Sequence, residues 1–167
     1  LTGRDKVVLI SQSRGGNAVR NYLKNGGGAA YVSHAILGGG INHGVSDWEE
    51  TRGSEFNAKG AFLTQLNAGP EEVVAGVRFM TIRSDNNDKY AQPDGRFLGK
   101  PGRPTGVGYD GPELKGAENV VIPKTDHRET AFSPPAFAEM YRFITGRAPA
   151  RVDIAPESEV VLNGKVN

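Results

Sequence analysis

The sequence predicts an α/β fold, a mostly parallel sheet with flanking helices, on three observations. Short apolar runs rich in β-branched residues recur along its 167 residues. Segments with helical periodicity separate them, and glycines cluster at the junctions. Near-continuous apolar runs mark strands buried on both faces, and strands alternating with helices imply parallel pairing.

Residues 6–11 (KVVLIS) form the first such run and break at residues 12–16. Residues 17–24 (NAVRNYLK) read as a helix with Val19, Tyr22 and Leu23 on one side, ended by Gly26, Gly27 and Gly28. Residues 31–37 are a second strand, stopped by Gly38, Gly39 and Gly40. The stretch 42–76 is polar and irregular, with short helical candidates at 61–67 (AFLTQLN) and 71–75. Residues 77–82 (VRFMTI) are a third strand, and 84–116 are a long loop dense in Asp, Asn, Gly and Pro. Loops of that length inside a compact domain are usually functional. Residues 119–122 are a fourth strand. Ser133-Pro134-Pro135 then opens a helix with Phe137, Met140, Tyr141 and Ile144 at i, i+3, i+4 and i+7, closed by Gly146. Residues 148–167 change character. Residues 152–154 and 159–162 look like short strands on either side of Pro156, in a linker or tail that leads into the start of a β-rich second domain on one reading.

Composition narrows the function classes. Twenty basic against nineteen acidic residues leave a net charge of +1, which removes the electrostatic case for nucleic acid or a polybasic membrane patch. The absence of cysteine excludes a disulfide framework, a thiolate zinc site and a cysteine nucleophile. No run approaches the ~18 apolar residues of a membrane span. The 23 glycines are about 14% of the chain, roughly twice the ~7% norm, so many backbone positions require unusual dihedrals or close approach.

Chemistry is concentrated where strands end. Ser13, in Ser11-Gln12-Ser13-Arg14-Gly15-Gly16, lies between a buried strand and a helix. A serine at such a turn projects its hydroxyl above the sheet if the residues two before and two after are small, here Ser11 and Gly15. The Arg14 backbone N–H would then face a developing oxyanion. A Gly/Ser turn with a capping serine is the plainer reading. Asp85 and Asp88 follow the third strand and His127 follows the fourth. Asp88 and Asp85 are alternative acid partners for the histidine, and Asp126 is a poor orienter because neighbouring side chains diverge. Trp48, Phe56, Phe62 and Leu66 are candidates for lining a substrate pocket, with ordinary core packing as the competing reading. His34 reads as an interior or edge residue, and His43 as ordering a loop near the site. Residues 85–88 (DNND) lack the spacing of a helix–loop–helix calcium site, so no metal and no cofactor are expected.

The order Ser…Asp…His resembles the α/β-hydrolase superfamily, more narrowly its serine lipases and esterases. SQSRGG is similar to their G-H-S-M-G-G elbow. ILGGGINHG at 36–44 is similar to the segment on the strand after the elbow, and FLTQLN at 62–67 to the short helix that follows. TIRSDNNDKYAQP at 81–93 looks like their strand-then-acid segment, and TDHRETAF at 125–132 like their histidine loop. The resemblance covers roughly residues 7–146. It implies a serine carboxylester hydrolase of lipase, esterase or polyester-depolymerase type, with Ser13 as nucleophile, His127 as base and Asp88 as acid. It implies residues 1–147 as the later part of such a domain, lacking the strands before the elbow and the loop that supplies a second oxyanion donor. The missing N-terminal part is thereby an expected partner, beside a small-molecule or lipid-like ester substrate, and a secreted or periplasmic location is expected. Ser11 departs from the family's first elbow glycine. With the missing strands, it motivates an alternative: a non-catalytic binding or assembly module of the same fold.

Overall fold

A computed structural model describes residues 3–85, 87–111, 113–156, 158–159 and 161. Four strands, β1 (Val7–Gln12), β2 (Val32–Gly38), β3 (Arg78–Arg83) and β4 (Glu118–Val121), form one sheet in the order β1-β2-β3-β4. Every pairing is parallel, with Ile10 opposite Ile36, Ile36 opposite Met80, and Met80 opposite Glu118. The first three strands begin and end one residue later than their apolar runs, because pairing continues into Gln12, Gly38 and Arg83. The fourth begins one residue earlier.

Helices cover both faces, as an all-parallel sheet requires. The helix α1 (Arg14–Asn25) lies on one face, beside the short α2 (Ala61–Leu66). Leu23 of α1 packs there with Val32, Ala35, Leu37, Val77, Phe79 and Leu114. On the other face α3 (Glu129–Phe132) and α4 (Pro134–Thr145) cover β2 and β3. Ile36, Met80, Ile82 and Ile122 meet Ala136, Met140 and Phe143 there. Alternation along β2, with Ala35 and Leu37 on one face and Ile36 on the other, feeds both layers from one strand.

Several sequence expectations shift. The helix α1 starts at Arg14 rather than residue 17, and its buried face carries Asn17 and Arg20 beside Leu23, while Tyr22 is 44% exposed. The buried positions 16, 20 and 23 follow the helical period; hydropathy alone cannot find them because two buried side chains are polar. Helix α4 turns Ala136, Met140 and Phe143 inward with Ile144 beside them, so Met140 and Ile144 of the expected stripe face the core while Phe137 does not. Ala136 lets the helix approach the sheet, and Phe137 pairs on the outer side with Tyr141, ring centroids 5.8 Å apart. Residues 71–75 form no helix: Glu72 N–H donates to the Lys115 carbonyl, and the Glu72 carboxylate accepts from Lys115 N–H. These bonds commit the Glu72 backbone N–H and carboxylate to the segment around Lys115 instead of to a helical turn. Residues 152–154 are exposed and form no strand, while Val160 and Leu162 of the second expected tail strand lie outside the described residues. Edge strand β1 leaves Val7 and Ile10 45% and 56% exposed.

Candidate active site

The carboxyl ends of β1, β3 and β4 converge, and each carries one polar group. Ser13 occupies the step from β1 into α1 with φ 55° and ψ −122°, a left-handed conformation that costs a non-glycine residue about 1–3 kcal/mol. The surroundings impose it. Ser13 N–H donates to the Gly38 carbonyl (2.8 Å), and Gly16 N–H closes the turn on the Ser13 carbonyl (2.9 Å). A Cβ on Gly15 would stand 3.2 Å from Ser11 Cβ, so the chain crosses itself there with room for no larger pair. Ser11 fits this close approach by donating its hydroxyl to the Ile36 carbonyl (3.2 Å). Arg14 is the first residue of α1, so its N–H has no partner within the helix and sits at the positive end of the helix dipole.

Asp88 is the N-cap of a one-turn 3₁₀ helix, Lys89–Ala91, and its Oδ1 accepts the Tyr90 N–H at 2.9 Å. The cap directs the carboxylate inward, where it is 6% exposed. His127 follows β4 and is 5% exposed. Its Nδ1 lies 3.0 and 2.9 Å from the two Asp88 oxygens, and its Nε2 lies 2.7 Å from Ser13 Oγ. A carboxylate accepts only, so Nδ1 carries the proton and Nε2 is left to accept from the serine hydroxyl. The His127 carbonyl accepts from Gln12 Nε2 (3.1 Å) and Thr130 Oγ1 (2.8 Å), and the Tyr90 ring meets the imidazole edge-on at 4.6 Å. Gly39 completes the cradle with φ 56°. A Cβ there would stand 2.9 Å from the His127 carbonyl oxygen and 3.2 Å from Cε1 of its ring.

The other candidates have different surroundings. Asp85 is occupied by the Asn87 and Lys124 backbone N–H groups (3.1 and 3.0 Å), and these bonds hold its carboxyl below the usual range. Asp126 accepts from the Arg128 and Glu129 N–H groups, and its carboxyl is likewise held low by backbone hydrogen bonds in its own turn. His43 Nε2 lies 3.1 Å from both Glu72 oxygens, away from Ser13. His34 stands against Phe143 at 5.4 Å, and burial, followed by the Arg78 charge, pushes its pKa down. Among the described residues, no group of three or more His, Cys, Asp or Glu converges to hold a metal ion.

A scan of family models finds no match, and no curated protein matches. One solved structure resembling this chain is the carboxylesterase CesB (YbfK) from Bacillus subtilis, 14% identical, with a TM-score of 0.44. The likeness covers 87% of this chain and 62% of that one, so the chain spans less than two thirds of that protein's length.

A cleft of about 580 Å³ opens over Ser13 and His127, with Ile41, Val45, Phe56 and Leu98 among its walls. Phe56 is the one member of the sequence-derived pocket set that lines it. Trp48 instead donates its indole N–H to the Pro104 carbonyl (2.7 Å), with Lys100 and Arg103 over its ring at 4.9 and 4.5 Å. Phe62 lies on α2 outside the cleft, and Leu66 is in the core. The long loops, with no periodicity, hid this distribution. Sequence reasoning missed Tyr90, Gln12, Val45 and Leu98, none of which stands in a pattern that distinguishes it from loop filler.

Proposed function

We propose that the chain carries the catalytic centre of a serine carboxylester hydrolase of α/β-hydrolase type, working through an acyl-enzyme. The carrying observation is the continuous line of hydrogen bonds from Ser13 Oγ through His127 to Asp88. In this reading Ser13 Oγ attacks the ester carbonyl carbon while His127 Nε2 takes its proton. The oxyanion that forms accepts from Arg14 N–H and from a second donor outside the described residues. His127 returns the proton to the departing alcohol; water then attacks the acyl carbon with the same base assisting and restores Ser13. Asp88 holds the imidazole in the tautomer that accepts from serine and stabilises the imidazolium.

The strain at Ser13 supports a catalytic over a purely binding role, because a capping serine has no need of a left-handed backbone. The half-exposed Val7 and Ile10 on edge strand β1 support association with a further segment that would supply the second donor. Export from the cytoplasm belongs to the same reading; no helix among the described residues is long and apolar enough to cross a membrane. The test is labelling by a fluorophosphonate together with hydrolysis of p-nitrophenyl esters of increasing acyl length, the profile separating esterase, lipase and polyester depolymerase. Ser13→Ala is expected to abolish both signals. Undiminished labelling of that variant overturns the assignment.

A further inference from the structure

Three cations on three separate elements reach the mouth of the Ser13 cleft: Arg14 at the start of α1, Lys89 in the 3₁₀ turn after Asp88, and Arg128 beside His127. None of the other residues lining the cleft is acidic; the carboxylate of Asp88 is behind the His127 ring. A chain with twenty basic and nineteen acidic residues has no general excess of cations, so this concentration is local. Lys89 Nζ lies 5.0 Å over the Tyr90 ring, which itself abuts His127. The Arg14 guanidinium lies 6.0 Å from Phe56 of the cleft wall and pairs at 2.8 Å with Glu55, which partly offsets its charge. Asp126 interacts electrostatically with the neighbouring Arg128 and partly offsets its charge as well. The N-terminal end of α1 adds a positive partial charge to the same mouth.

We propose that the substrate is an ester bearing a negatively charged group a few bonds from the scissile carbonyl, such as a half-ester of a dicarboxylic acid. Its apolar portion lies along Ile41, Val45, Phe56 and Leu98, and its anion at Lys89 and Arg128. The inference deepens the hydrolase reading and rests on it for the chemical step alone; anion binding at the rim does not require a working serine. A cleft lined by one sign of charge concentrates the opposite ion and raises the encounter rate in a salt-dependent way.

The experiment compares kcat/KM for mono-p-nitrophenyl glutarate with that for p-nitrophenyl pentanoate, matched in acyl length and differing by the terminal carboxylate. At low ionic strength the anionic ester is expected to be favoured by about tenfold, falling to within about twofold in ~0.5 M salt. The double variant Lys89→Gln, Arg128→Gln is expected to bring the ratio near unity. A ratio near unity in the unaltered protein at low salt overturns the proposal. So does a ratio unmoved by salt and by the double variant, or stimulation by phosphatidylglycerol vesicles without preference for the anionic ester, which would assign the cations to a membrane surface. Failure of both esters refutes the hydrolase reading separately. Glutarate binding to Ser13→Ala, followed by NMR, then decides the rim: about fivefold weaker binding in the added double variant upholds it, and no glutarate binding overturns it.

Discussion

Replacing Asp88 by asparagine removes one charge and almost no volume, which makes it the sharpest probe of the candidate site. Asp88 Oδ1 accepts from Tyr90 N–H at 2.9 Å while both oxygens face His127 Nδ1 at 2.9–3.0 Å. If the asparagine keeps its oxygen on Tyr90 N–H, its amide N–H₂ faces Nδ1 and two donors oppose each other. The ring then adopts the other tautomer, with a proton on Nε2 aimed at Ser13 Oγ 2.7 Å away, and serine loses its proton acceptor. Loss of the correct tautomer in a Ser-His-acid site lowers kcat by about 10⁴, and at ~1.4 kcal/mol per decade this is about 5 kcal/mol of transition-state stabilisation. Initial rates on p-nitrophenyl butyrate, normalised to folded protein by near-UV circular dichroism, measure the loss. Asp85→Asn is the matched control: its partners are the Asn87 and Lys124 N–H groups, so it is expected to keep kcat/KM within about threefold. Retention of more than about a tenth of the activity in Asp88→Asn, with a hundredfold loss in Asp85→Asn, refutes the reasoning and transfers the acid role to Asp85.

Three further outcomes follow from the same geometry. Gly39→Ala forces a side chain into a left-handed position and to within 2.9 Å of the His127 carbonyl, so a loss of about 2–4 kcal/mol in urea unfolding is expected together with a fall in kcat; an unchanged midpoint contradicts the close packing. Arg20→Met leaves the Glu72 carbonyl and Asn67 Oδ1 without their donor and the Asn42 carbonyl with the Asn67 amide alone, a loss of about 3 kcal/mol, readable as a melting temperature lower by roughly 6–12 °C. His34 has a pKa below its ordinary 6.5 in the folded chain, so the unfolded state binds its proton first and stability falls as pH drops through 6.5 toward the lower folded value. His34→Gln is expected to flatten the melting-temperature profile over that window, and an unaltered slope counts against the assignment.

Legibility followed periodicity. The strands were readable because β2 and β3 are buried on both faces and carry continuous apolar runs, and Ser133-Pro134 announced α4 through its cap. Residues at the ends of strands were readable for the same reason: once a strand is placed, its terminus is fixed to within a residue or two. Strand ends alone brought Ser13, His127 and the pair Asp85 and Asp88 to one edge of the sheet; the preference for Asp88 over Asp85 came from the resemblance of residues 81–93 to a strand-then-acid segment. The inner face of α1 was not readable, since Asn17 and Arg20 are buried by hydrogen bonding rather than hydropathy. The cleft wall was unreadable for a different reason. Apart from Phe56, which the sequence singled out, Ile41, Val45 and Leu98 come from loops whose paths are set by bonds between distant segments, such as Val45 N–H to the Phe56 carbonyl at 2.8 Å, which leave no local sequence pattern.

Those long-range bonds also explain how a chain so rich in loops holds a strained serine. Arg20, one and a half turns along the helix that begins at the elbow, donates to the Asn42 carbonyl (3.2 Å), Asn67 Oδ1 (2.6 Å) and the Glu72 carbonyl (3.1 Å). Asn67 returns a bond to the Asn42 carbonyl (3.0 Å), Asn42 Nδ2 reaches Thr81 Oγ1 on β3 (3.0 Å), and the Glu72 carboxylate lies against His43. Burial pushes the Arg20 pKa down to about 10 against the opposing pull of Glu72, and the guanidinium remains charged at neutral pH. A well-packed apolar side chain of similar volume would often be as stable, so net stability is a weak reason for a buried arginine. Position is a better one. The three Arg20 bonds tie α1 to the loops that carry Asn42, Asn67 and Glu72, and so limit how far the helix that starts after Ser13 can shift. Asn42, held by the same network, fixes the neighbouring Ile41 in the cleft wall. The step that carries Ser13 and the Ile41 wall of its cleft are therefore linked through one buried side chain.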